Sequence, residues 1–468
     1  MKSQRTEYDS MGPVQIAAGR LWGAQTQRAL AHFAIGETPM PPALLSAYAR
    51  LKKACALANG ELGQLTPAQS ALICRVCDEI LAGKHDAQFP LPPWISGSGT
   101  QFNMNVNEVV ANRASALTGE ALGSHRPLHP NDHVNRSTSS NDTFPSAMHI
   151  AVALATQQQL LPALSRLQHG CESKGQAWDG LLKVGRTHLM DAVPMYMGQE
   201  WHAFASQLKA AHADISHALA GVMPLALGGT AVGSGLGAPP GFARAAILHL
   251  ANFTGLPFRE ADDHFAAQGA HDALARLSAA LKTLATILFK IANDVRLLAS
   301  GPRCALAELK LPDNEPGSSI MPGKVNPTQC EMLAMVALQI MANDQAVALG
   351  NAGGMLQMNV YKPLILRNLL ESLRLAGDAM DSFNRHLVAN CQPDSARLAR
   401  DVENTLMRVT ALAPVIGYEQ AASIAQLALA QDWPLRVAAL QLGVEEALFD
   451  KLCDAGAMAG AGHKADPD

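Results

Sequence analysis

Charge is scarce in this 468-residue chain: 16% of its residues are Asp, Glu, Lys or Arg, against 48% hydrophobic. That balance excludes a solvated, disordered chain and predicts extensive burial, in two or three domains sharing one large core. Neither sign of charge dominates. The 36 Lys and Arg set against 40 Asp and Glu give a formal net charge of -4, which leaves no basic surplus for nucleic acid or anionic lipid. No uninterrupted apolar run is long enough to span a bilayer, and Met1 to Glu7 has no apolar signal region, so the expected setting is the cytoplasm, with no membrane partner. The cysteines, at positions 55, 74, 77, 171, 304, 330, 391 and 453, lack the dense spacing of a secreted disulfide framework and are expected to be reduced. Cys74 and Cys77 fall in the helical run Ala71 to Leu81, and no second pair completes a zinc site.

Helical periodicity is what the chain has in abundance. Leu274, Leu277, Leu281, Leu284, Leu288, Ile291, Val295 and Leu298 alternate by three and four, as do Leu366, Leu369, Leu373, Ala376, Met380, Phe383 and Leu387. Further helical stretches are expected around Ala147 to His169, Gln199 to Ala220 and Glu331 to Leu349. Helices of roughly 20 to 30 residues reach about 30 to 45 Å, which predicts a mainly α fold built on a long central bundle. The first of them also carries Ala280, Ala285, Ile287, Phe289 and Ala292 on its other faces, so burial on several sides, by other subunits, is expected. The expected domains are 1–138, N-terminal and mostly helical behind an extended arm of about 40 residues; 139–394, a central five-helix bundle; and 395–468, a small C-terminal helical domain with a flexible tail from Ala459.

Polar loops interrupt these helices. Ser96 to Thr100 runs from a Gly/Ser loop into a helical stretch, which suits either an anion site or a well-capped helix start. His125, His129 and His133 recur every four residues, but Pro127 and Pro130 break the helix that would align them as metal ligands. Ser139-Ser140-Asn141-Asp142 would ordinarily be a cap and turn cluster, but its kinship in character with the other hydroxyl-rich loops makes polar substrate recognition the stronger expectation. Gly185 to Ala192 places His188 beside Thr187 and Arg186, ahead of a helical run. Leu227 to Gly237 is glycine-rich, yet its spacing is not that of a dinucleotide loop and its flanks are helical, so nicotinamide is not expected. The most informative stretch is Gly317 to Pro327, where Ser318, Ser319, Lys324 and Asn326 sit among glycines and prolines that keep the backbone off a helix. With His188 and Glu331 these groups suit proton transfer beside a developing oxyanion.

These segments, above all Gly317-Ser318-Ser319-Ile320-Met321-Pro322-Gly323-Lys324-Val325-Asn326-Pro327, together with Ser98-Gly99-Thr100-Gln101, resemble the aspartase/fumarase superfamily and, within it, the class II fumarases. The resemblance spans nearly the whole chain. It implies a three-domain subunit, a homotetramer with a twenty-helix core, and active sites each shared by three subunits. The implied reaction is reversible hydration of fumarate to (S)-malate, a step of the tricarboxylic acid cycle, without cofactor or metal. His188, Ser318 and Glu331 are the implied catalytic residues. Ser98, Gly99, Thr100, Ser139, Ser140, Asn141, Thr187, Ser319, Lys324, Val325 and Asn326 are the implied substrate contacts. A second dicarboxylate site maps onto Arg126, His129, Pro130, Asn131 and Asp132. Phe102 departs from the family pattern, which favours a small residue there, and is expected to put bulk beside the Ser98 to Thr100 loop. The alternatives are an ammonia-lyase acting on aspartate and a catalytically silent oligomeric scaffold.

Overall fold

The computed structural model describes residues 4–460; most of the expected tail, 461–468, lies outside them. The chain forms two compact units, one of Met1–Pro162, Ala213–Ala285 and Ala337–Gly377, the other of Ala163–His212, Thr286–Val336 and Asp378–Asp468. Both are mainly α, as the apolar periodicity requires.

In the first unit the helix Pro42–Glu61 packs on Pro67–Leu81, Phe242–Thr254 and Ser140–Ala155. Thr66 starts the second of these with a capping box to Gln69 and Pro67 in the first turn, a combination that satisfies free N–H groups and fixes φ where a helix begins. Tyr48 is fully buried between Phe102 and Phe144. The extended arm proves to be a hairpin, Gln4–Asp9 paired antiparallel with Gly12–Ala17, followed by the helix Ala24–His32.

In the second unit a larger hairpin, Leu182–Thr187 with Met190–Tyr196, packs against the helices Ser395–Asn404 and Ala455–Gly460. It replaces the irregular lead-in to a helix expected around His188, and the helix itself, Met197–Ala220, follows directly. The later helices of this unit close around Leu412, Ile424, Ala438, Phe449 and Cys453.

Helices run over Asp272–Leu298, Thr328–Ala352 and Lys362–Phe383, as their spacing predicts. In Asp272–Leu298 the Leu/Ile/Val stripe is buried together with Ala285 and Ala292, Ala280, Ile287 and Phe289 are half-buried, and Lys282, Thr283, Thr286 and Lys290 are exposed. Thr328–Ala352 is long and apolar enough to cross a membrane. It leaves Met335, Leu338 and Leu349 more than half exposed. All eight cysteines are free; Cys304 is exposed, Cys74 is half-buried and the others are buried.

Candidate active site

Hydroxyl groups converge in the first unit. Ser96 Oγ lies 3.0 Å from Ser98 Oγ, Ser98 Oγ 2.9 Å from Thr100 Oγ1, and Thr100 Oγ1 2.8 Å from Ser140 Oγ. The loop can run this tightly because of its glycines. A Cβ on Gly97 would fall 1.3 Å from the Val360 carbonyl oxygen, and one on Gly99, at φ 75°, would fall 2.0 Å from the Phe144 ring. Gly99 delivers the chain into the helix Thr100–Thr118 with no side chain capping its first N–H groups; those of Phe102 and Asn103 donate to the Gly99 carbonyl, which leaves those of Thr100 and Gln101 for an anion. Ser140 and Asn141 stand at a second helix start, where Ser139 and Asp142 form a capping box. Phe102 turns away from the loop. Its ring is buried, 5.5 Å from Tyr48 and 6.5 Å from Phe89, so its bulk fills the core.

Residues 126–132 lie elsewhere in the same unit. His129 caps the π-helical turn Pro130–Val134, its Nδ1 accepting from the N–H groups of Asn131 and Asp132. Burial lowers its pKa, which fits a neutral ring with an acceptor at Nδ1. Arg126, Asn131 and Asp132 are exposed and Pro130 is buried. Next to them a cavity of about 270 Å³ is lined by Glu7, Asp9, Glu108, His125, His129 and Asn131. Its carboxylates are already engaged: Glu7 with Arg5, Asp9 with Arg28, and Glu108 with the backbone N–H groups of Gly23, Gln25 and Thr26.

In the second unit the hairpin presents Thr187 and His188 at its tip, both exposed. Thr187 pairs with Met190, so the turn holds only His188 and Leu189, at φ 55° and 62°. Two-residue hairpin turns with positive φ at both positions ordinarily take Asn-Gly; a branched Leu and a His there are strained. The strand behind the tip is fixed by charge. Lys183 Nζ lies 3.0 Å from Glu200 and 2.9 Å from the fully buried Glu308, with which Arg186 also pairs. Arg186 is thus a hairpin anchor, and nothing in the sequence paired it with a residue so distant. Burial raises the Glu200 carboxyl pKa, against the opposing pull of Lys183.

Gly317 to Pro327 is a loop, as its composition predicts. It braces itself: Gly317 N–H donates to the Lys324 carbonyl at 2.8 Å, and Asn326 Nδ2 to the Gly317 carbonyl at 2.6 Å. A Cβ on Gly317 would lie 2.3 Å from the Lys324 carbonyl oxygen. Ser318 Oγ accepts from the N–H groups of Ile320 and Met321, at 3.3 and 3.1 Å. Ser319, Lys324, Val325 and Glu331 are exposed. Among the described residues, His188 and Glu331 share no hydrogen bond or ion pair.

A sequence profile described as Lyase matches residues 12–342, and one described as Fumarase C C-terminus matches residues 409–460. The chain is 54% identical over 460 residues, covering 98% of itself and 99% of the relative, to a protein of Pseudomonas aeruginosa named Fumarate hydratase class II 1. The chain belongs to the class II fumarate hydratase family. It is also 55% identical over 439 residues, 94% of each chain, to the Fumarate hydratase class II of Thermosynechococcus vestitus. Its fold is similar to the crystal structure of class II fumarase from Schistosoma mansoni, with a TM-score of 0.95 and 41% identity over 98% of this chain and 99% of that one. Membership explains why hydroxyl-rich and glycine-rich polar segments recur so far apart along the sequence. It also accounts for the mainly helical architecture around them.

Proposed function

We propose that the chain catalyses the reversible hydration of fumarate to (S)-malate. The observation that carries this reading is identity above half, over nearly the full length of both chains, with class II fumarate hydratases.

The chemistry sets the requirements. Removing a proton beside a carboxylate puts a second negative charge on a group already charged, so an aci-carboxylate dianion must be stabilised. In the malate-to-fumarate direction, Ser318 as alkoxide takes the C3 proton, and the electron pair moves into the adjacent carboxylate. On collapse the C2–O bond breaks, and the hydroxyl leaves as water with a proton from His188, which Glu331 orients. The two N–H groups that donate to Ser318 Oγ favour its ionised form. Lys324 and the second N–H of Asn326 face the dianion's charge. Ser98, Thr100, Ser139, Ser140, Asn141, Thr187, Ser319, the N–H groups that follow Gly99 and that of Val325 hold the carboxylates and the water; the Gly99 N–H itself donates to the Ser96 carbonyl. No cofactor or metal enters these steps.

The reading includes a homotetramer in which three subunits complete each active site, a central bundle domain over 139–394 flanked by 1–138 and 395–468, a second dicarboxylate site at 126–132, and work in the cytoplasm within the tricarboxylic acid cycle. The exposed Met335, Leu338 and Leu349 on one long helix support the assembly, since an apolar strip of that kind is ordinarily covered. Loss of fumarate absorbance on adding the protein, with malate formed and no ammonia required, is the expected result. Absence of hydration at every pH tried overturns the reading.

A further inference from the structure

Asp142 does more than its place in a capping box requires. Its side chain is fully buried, one residue beyond the half-buried Asn141. One oxygen, Oδ1, accepts from the Ser139 N–H at 2.9 Å, which completes the box. The other, Oδ2, accepts from the N–H groups of Gly228 and Thr230, each at 3.0 Å. A helix cap uses one acceptor; the second oxygen ties a glycine-rich loop some ninety residues later to the same helix start. That loop returns a contact, for the Ala231 carbonyl accepts from Asn141 Nδ2 at 2.7 Å. Gln268 Nε2 secures it from a third side by donating to the Thr230 carbonyl at 2.9 Å. Close packing leaves the loop little room: a Cβ on Gly228 would fall 2.5 Å from Ala243 Cβ.

This closed circuit determines how Asn141 faces outward. A primary amide has two N–H donors and one acceptor oxygen, and only the donors suit a carboxylate. With Ala231 accepting one N–H, the amide cannot flip without facing two carbonyl oxygens to each other, and its second N–H stays available. We propose that Asp142 is a positioning residue that clamps the Gly228–Ala231 loop to the start of the helix Ser140–Ala155, so that the Ala231 carbonyl holds Asn141 with a donor toward a substrate carboxylate. The glycine-rich segment Leu227 to Gly237 thereby gains a role as the wall that orients a binding residue. The clamp rests on reading Ser139–Asn141 as a carboxylate-binding segment.

The test uses the full chain and two variants that disturb the clamp from opposite sides. Asp142→Asn puts an amide N–H against at least one of the three backbone donors, and Gly228→Ala pushes the loop away through its clash with Ala243. In steady-state fumarate hydration both are expected to raise KM about tenfold, the size of one hydrogen bond to a charged group, with kcat within about threefold of wild type. A role in folding alone predicts a lower Tm with KM unchanged, and that result in either folded variant overturns the clamp. Should Asp142→Asn fail to fold, Gly228→Ala decides by itself. If the wild-type protein leaves fumarate unchanged, the reaction assigned above fails. The clamp is then judged by calorimetric titration with succinate, where an undiminished affinity in the variants overturns it.

Discussion

The hydroxyl cluster of the first unit and the Gly317–Pro327 loop of the second are built in opposite ways. Ser98, Thr100 and Ser140 bond to one another, on helix starts seated over the buried Phe102, Phe144 and Asp142. The loop is held mainly by contacts within itself, Gly317 N–H to the Lys324 carbonyl and the Asn326 side chain to the Gly317 carbonyl, and leaves Ser319, Lys324 and Val325 in solvent. A rigid wall of neutral donors suits recognition of a carboxylate whose charge does not change. A loop with few packing contacts suits the groups that must meet substrate closely at the reacting carbon and let product go. On the proposed reading the first region only binds, and the second adds the proton transfer to its own substrate contacts.

The largest expected effect attacks the loop. Ser318→Ala should lower kcat by on the order of 10³ or more, about 4 kcal/mol of barrier, while size-exclusion chromatography shows an unchanged assembly. A near-normal rate removes Ser318 as the base. The wall should respond through stability instead. Gly99→Ala, which places a Cβ at positive φ against the Phe144 ring, should cost about 3 kcal/mol, read as a lower denaturation midpoint. A smaller change tests recognition: Thr100→Val removes a hydroxyl from the cluster and should raise KM by roughly tenfold, about 1.4 kcal/mol, with kcat little altered. If kcat falls instead, the two regions do not divide the work as described. The smallest effect on stability lies at the hairpin tip. Replacing His188-Leu189 through the double substitution His188→Asn and Leu189→Gly should relieve the turn and stabilise by about 1 kcal/mol, yet abolish most activity. A destabilised double variant would remove the claim of strain.

The long helices were legible because their apolar residues recur at three and four: Leu274 to Leu298 is one helix with the predicted buried stripe. The Ser139 cap was legible from local chemistry. The hairpin Leu182–Tyr196 was not, since Gly185 breaks the alternation at a register shift between Val184 and Arg186, and Lys183 reads as a surface residue until Glu200 and Glu308 are brought to it. Asp142 was hidden for a related reason. An aspartate three residues beyond a serine looks the same whether it closes one helix or also holds a loop. Phe102 was misjudged because sequence distance from a loop says nothing of the face a helix turns inward. Which residues complete a site depends on pairings between distant segments, and one chain's periodicity does not encode those pairings.

The distribution of thiols supplies an experimental handle on the exposed half of this comparison. Burial pushes Cys55, Cys171 and Cys330 up to about 12 and Cys391 to about 11, so at neutral pH they are neither ionised nor reachable. Cys304 stands exposed in the segment leading toward the Gly317–Pro327 loop. A maleimide dye added to the unaltered protein should therefore attach there first, giving a fluorescent reporter on the loop's own approach without engineering a single residue.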